Sequence, residues 1–383
     1  MDYELRERQI ALFFIAFLPI TKFFSMPSSA VKIAGEDFYL SALLLLIIDL
    51  LAVLFLLKIN GKFNADLFTI LEYNFSKKFA KAVYFLYALF FTIKAVTPLF
   101  EQFNFLQTTL YETSPTTFNY LPFLIFSTYL CTKKLRAIGR LSDLLFAFSI
   151  ISVILLTALA VNDVDFSAIL PIGAQKTKIF KASASIYNWF GDTPYLLFML
   201  GNFPAKTKNN FKPILGFIAH AIFTVGFLIT FYAVFSYASG RELYAIAEIS
   251  KYSNVLNSIG RFDYIAIFLL LIPHTVAVSL PIFFAVHLLN RAFNIKKLLP
   301  SLILNGAFFI FLTFFTTSVV PVLNFLHKYV SPFLFFMANV LPFALIFLKN
   351  CIYVMALSDS GVLRLLKSLS FLLASFRTRL SSA

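Results

Sequence analysis

The chain is poor in the residues that soluble chemistry is usually built from. Only 13% of its 383 residues are charged, and it has 2 cysteines, 4 histidines and 1 tryptophan. So little charge beside 60% hydrophobic residues excludes a soluble domain of this length. The cysteines, Cys131 and Cys351, are too few for a disulfide scaffold and both fall near expected cytoplasmic helix ends, where a structural disulfide is not expected. His220, His274 and His287 stand apart, without metal-ligand spacing, and no metal or other cofactor is expected. No nucleophile elbow, phosphate loop or catalytic pair is present, which argues against an enzyme. Acids are scarce as well, 18 against 32 Lys and Arg, for a net charge of +14. Such a balance raises nucleic acid as a partner until the placement of the charges is considered.

What is abundant is long apolar sequence. Hydropathy marks about ten membrane segments, over 9–34, 38–57, 82–110, 119–132, 141–161, 179–201, 212–237, 264–289, 299–320 and 331–349. With the N-terminus inside, 22 Lys and Arg fall on the cytoplasmic side and 8 on the outer side. That asymmetry supports an even number of crossings with both ends cytoplasmic, and it accounts for the basic charge without nucleic acid. The expected class is an all-α polytopic membrane protein, a membrane domain over 1–350 followed by a basic amphipathic tail over 351–383 on the inner leaflet. The N-terminal MDYELRER mixes acids with bases, and no signal-peptide cleavage site follows it. Between segments two and three, 66–79 has the pattern of an interfacial helix capped by Asp66. Two outer loops are long, 162–178 and 239–262, and 242–257 has helical spacing. The 51 phenylalanines are explained as well by a lipid-facing surface as by function.

Two segments carry helix breakers where a spanning helix should be continuous. The first apolar run stops near Phe24, short of the roughly 20 residues that cross a bilayer. Pro27, Ser28 and Ser29 follow, where helix hydrogen bonds should be lost. Two readings stand: a broken spanning helix that exposes backbone groups to a ligand, or a plain helix followed by a surface loop. In segment six, NWFGDTPYLLFML places Gly191 and Pro194 around Asp192. There Asp192 accepts either a ligand amine or proton, or a backbone amide of the second half-helix as a cap.

The candidate ligand site therefore takes Ser25, Pro27, Ser28, Ser29 and Ala30 from the first break. From the second it takes Tyr187, Asn188, Phe190, Gly191, Asp192 and Thr193. The amides around Ser28–Ala30 would meet a ligand carboxylate, and carbonyls near Tyr187–Phe190 its amine. Four more ionisable groups lie at membrane depth. Lys22 either neutralises Asp192 or Asp49, or replaces a coupling cation, or snorkels. Asp49 is expected to face protein, in a structural hydrogen bond. Lys94 and Glu101, seven apart, share one face of segment three; they line the path, or Glu101 lies at the outer boundary.

Several stretches resemble one family in its own order. These are RQIALFFIAFLPITKFFSMPSSAVKIAGEDFYLSALL, KKLRAIGRLSDLLFAF, FSAILPI, NWFGDTPYLLFML and IGRFDYIAIF, spanning about 8–350. They are similar to the spore-germination permease family, the B-type subunits of nutrient germinant receptors, within the amino-acid/polyamine/organocation transporters. Asp192 stands where that family usually has Glu. The resemblance implies two inverted five-helix repeats with segments one and six broken at the centre. It further implies a nutrient receptor for an amino acid or amine in the spore inner membrane, with other receptor subunits as partners. A proton- or cation-coupled secondary transporter of amino acids or amines is the alternative.

Overall fold

A computed structural model describes residues 3–63, 65–110, 116–174, 176–204, 211–251, 263–315, 321–322 and 325–345. These are helical almost throughout, with no strand among them. Among the described residues, seven helices are long and apolar enough to cross a membrane, by length and composition. The protein is thus a multi-pass membrane protein. The chain resolves into two compact units, Met1–Asn339 and Val340–Ala383. The expected tail, 351–383, lies outside the described residues.

In chain order the helices are α1 Glu7–Phe17, α2 Met26–Ala34, α3 Phe38–Phe63, α4 Leu67–Asn74, α5 Lys77–Phe105, α6 Thr116–Cys131 and α7 Leu135–Ala160. Then come α8 Lys176–Ser185, α9 Thr193–Met199, α10 Phe211–Phe235, α11 Ala245–Lys251, α12 Asp263–Phe293, α13 Leu298–Phe315 and α14 Ser331–Phe335. Helix α3 shows why the segments sit in lipid. Its apolar residues are spread around the whole helix, with Ile47 and Leu51 exposed while Ala42, Leu46 and Val53 are buried, so it needs apolar surroundings on every side. Helix α1 packs against α7 and α10, and α5 against α12. At the α1–α10 crossing, a Cβ on Gly216 would stand 2.5 Å from the Ala11 backbone. Only glycine allows that approach, the small-residue packing expected between membrane helices.

Local chemistry sets the ends. Ser76 accepts the Phe79 amide at 3.1 Å, so α5 starts at Lys77, ahead of the apolar run. The interfacial helix expected over 66–79 is correspondingly shorter. It is α4, capped by Asp66, which accepts the Thr69 amide at 3.2 Å. Of the loop 239–262, the described part holds the short α11, and the Ala245 amide donates to the Phe24 carbonyl at 3.1 Å. Arg261 and most of the remaining loop lie outside the described residues. Many phenylalanines line the interior: Phe13, Phe14, Phe17, Phe23 and Phe24 have 1% exposure or less.

The first break falls earlier than the proline indicated. A 3₁₀ turn over Ile20–Lys22 and bends over 23–25 separate α1 from α2. Pro27 lies in the first turn of α2, where its missing N–H removes no helix bond. The Ser29 amide already donates to Ser25 O at 3.1 Å. It is therefore not an open donor for a carboxylate, which corrects that part of the expected site. The second break lies where the sequence placed it. A 3₁₀ turn, Ile186–Trp189, is followed by unwound backbone to Asp192, with Gly191 at φ 70°.

Candidate functional site

Asp192 is the residue around which the interior charges gather. The unwound stretch Phe190–Asp192 leaves its side chain at the head of α9, but the carboxylate does not cap that helix. Instead Oδ2 accepts from Lys22 Nζ at 2.8 Å, and Oδ1 lies 3.1 Å from Lys94 Nζ. All three side chains are buried, Lys22 completely. Lys22 reaches it because the 3₁₀ turn after α1 swings the side chain inward, where it also donates to Leu18 O at 2.9 Å. The snorkelling reading of Lys22 and the capping reading of Asp192 are therefore both set aside. A carboxylate between two ammonium groups has the counter-charges that a buried ion needs.

Asp49 holds the unwound stretch instead. Its carboxylate accepts from the Gly191 amide and the Thr193 hydroxyl, each at 3.3 Å. Lys94 serves the other side of the same backbone, donating to Phe190 O and, at 3.3 Å, to Gly191 O. Both amide and carbonyl groups released by the second break are thus held by charged side chains from α3 and α5. The carbonyls of Tyr187 and Phe190 are not open to a ligand amine, since Phe190 N donates to Tyr187 O at 2.9 Å and Lys94 holds Phe190 O. This corrects the expected docking of the amine.

Glu101, two turns along α5 from Lys94, is buried rather than at the outer boundary. It accepts from Ser25 Oγ at the first break and from Trp189 Nε1 at 2.9 Å. One carboxylate therefore ties the two breaks together, and its Oε2 has no hydrogen-bond partner among the described residues. Ser28 Oγ donates to Ser25 O at 3.1 Å, and the buried Ala30 continues α2. Asn188 accepts from Ser331 Oγ at 2.8 Å, while its Nδ2 has no partner among the described residues, and Tyr187 OH accepts from Asn339.

Beside Asp192 and Lys94 lies a cavity of about 30 Å³, large enough for about one water. Phe17, Leu18 and Thr21 line it from segment one, and Asn188, Trp189, Asp192 and Tyr195 from segment six. Lys94 and Pro98 line it from α5, and Ala277, Leu280 and Pro281 from α12. The sequence reading missed α12 and Trp189. Yet each in-helix proline frees the carbonyl four residues before it. Pro98 frees that of Lys94 and Pro281 that of Ala277, and all four residues line the cavity. Below it, the rings of Phe91, Tyr195 and Phe284 pack with centroids 5.2–5.3 Å apart.

Beyond those rings, Phe198 and Tyr84 face a wide polar vestibule of about 890 Å³. Arg291 and Asp66 pair across it at 2.8 Å. Lys297 donates to Lys133 O at 2.8 Å there, and burial pushes its ammonium below the usual lysine range. Among the described residues no cluster of His, Cys, Asp and Glu could hold a metal.

Residues 5–321 match the family model described as spore germination protein. The chain belongs to the spore germination protein family. Membership supports a germination-related, permease-like role and agrees with the multi-pass architecture. No curated protein matches the chain.

Proposed function

We propose that this chain is a nutrient-receptor subunit of the spore germination family that binds a zwitterionic, amino-acid-like ligand between the two breaks. The observation that carries this is the Lys22–Asp192–Lys94 cluster beside the central cavity. A zwitterion brings one charge of each sign. Its amine exchanges with a lysine for Asp192 and gains the carbonyls freed by Pro98 and Pro281. Its carboxylate takes the displaced ammonium. Neither half then leaves a buried charge unpaired, the condition for binding at such depth. The present cavity is far smaller than an amino acid, so binding enlarges it and shifts the chain toward another conformation, which is the signal. The signal passes to other receptor subunits, and no catalysis is involved.

The same reading takes the ten segments as two inverted five-helix repeats, with both ends cytoplasmic and the spore inner membrane as the location. Cysteine labelling tests the orientation, in protein with Cys131 and Cys351 replaced by serine. A cysteine at Asn254 should label from outside and one at Ser370 only from inside; the reverse contradicts the topology.

A second reading, coupled secondary transport, rests on Lys22. In that reading its buried nitrogen, paired with Asp192, is the group that gains and loses the coupled proton. Labelled amino acids presented to proteoliposomes separate the two. Saturable binding without accumulation supports the receptor, and proton-driven accumulation supports the transporter. Neither binding nor uptake across a broad panel of amino acids and amines refutes both.

A further inference from the structure

A recess of about 690 Å³ opens on the flank of segment six, away from the central cavity. Leu44 and Ile48 of α3, Phe180 of α8 and Phe335 of α14 wall it with hydrocarbon. Its volume falls in the range of about 300–1,000 Å³ typical of ligand sites. Two lysines, Lys181 and Lys328, are the charged groups among its lining residues. Both are exposed, and among the described residues neither ammonium has a carboxylate partner. Lys328 rests over the Tyr329 ring, 5.1 Å from its centroid. An apolar slot with two cations that have no carboxylate partner among the described residues is complementary to an anionic head on a hydrocarbon chain.

We propose that this recess is a binding site for an anionic phospholipid, one acyl chain lying in the slot and the phosphate on Lys181 and Lys328. On the topology proposed above, both lysines lie at the outer end of their segments, so the lipid comes from the outer leaflet. The floor of the recess gives the site a consequence. Tyr187 and Ser331 line it, while the next residues of the same 3₁₀ turn, Asn188 and Trp189, line the central cavity. Ser331 donates to Asn188 at 2.8 Å and Asn339 to Tyr187 OH. A lipid in the recess thus presses on the side chains that position Asn188.

Native mass spectrometry of the full chain in detergent, with phosphatidylglycerol or phosphatidylcholine added, tests the site without reference to any nutrient. The expected result is preferential phosphatidylglycerol binding. The Lys181→Ala/Lys328→Ala protein should lose roughly 10- to 30-fold of that affinity, from two lost headgroup charges. Lys181→Arg/Lys328→Arg should keep it. Ala184→Trp, which fills the recess, should weaken both lipids. Thermal melting establishes that each variant is folded. Equal binding of the two lipids overturns the proposal. So does a phosphatidylglycerol preference that survives the alanine pair, retention of full affinity in Ala184→Trp, or tighter binding of a free fatty acid than of the phospholipid.

Discussion

The two breaks differ in what holds their backbone. In segment one the chain turns through Ile20–Ser25 with φ values that any residue adopts. Side-chain hydroxyls do most of the tying, Thr21 to Leu18 O, Ser28 to Ser25 O and Ser25 to Glu101, beside one ammonium, Lys22 on Leu18 O. In segment six the turn needs a left-handed residue, Gly191, and its released groups are held by ions, Asp49 on the amide and Lys94 on the carbonyls. The first break is an ordinary turn with a replaceable polar clasp. The second is fixed by charge and by backbone conformation. A ligand that inserts between them therefore meets a compliant wall on one side and a charged, rigid one on the other, and the charged side should dominate both stability and recognition.

Substitutions that break this contrast rank accordingly. Asp192→Ala leaves Lys22 and Lys94 buried without their shared counter-charge, and should cost about 3–5 kcal/mol. Thermal unfolding in detergent reads it as a large drop in Tm. The charge-balanced Lys22→Met/Asp192→Asn protein should recover most of the loss, and failure to recover would mean that shape rather than charge holds the site.

Next comes Gly191→Ala. A Cβ there would lie 2.7 Å from Tyr187 OH, at φ 70°, so about 1–3 kcal/mol should be lost; an unchanged Tm would show that the turn tolerates a side chain. Ser25→Ala removes one neutral donor from the Glu101 clasp and should cost about 1–2 kcal/mol. Smallest is Pro27→Ala, within about 0.5 kcal/mol of the parent, because the ring sits in the first turn of α2. A Pro27 effect as large as that of Gly191 would erase the contrast.

The sequence made segment six legible because Gly191 and Pro194 act on the backbone locally, whatever packs around them. Asp192 between them was legible for the same reason. Segment one was harder. Its proline is a helix-start residue as much as a breaker, and the true break, at 23–25, contains no glycine or proline at all. The partners of each charge depended on tertiary contacts between residues far apart in the chain, such as Asp49 to Gly191, 142 residues apart, and Lys94 to Phe190, 96 apart. Spacing along one helix cannot show these. The contribution of α12 did leave a signal, Pro273 and Pro281 inside one apolar segment. Reading it requires knowing that α12 faces α5.

Trp189 is the one tryptophan of the chain and lines the central cavity, bonded to Glu101. Its emission therefore reports directly on whether a ligand enters between the breaks. Titration of purified protein with a panel of amino acids, followed by tryptophan fluorescence, is the decisive measurement. The account predicts a saturable change for at least one zwitterionic amino acid, with affinity about 10- to 150-fold weaker in the folded Lys22→Met/Asp192→Asn protein. A ligand that binds by radiolabel yet leaves Trp189 emission unchanged, or one whose affinity is the same in both proteins, would contradict it.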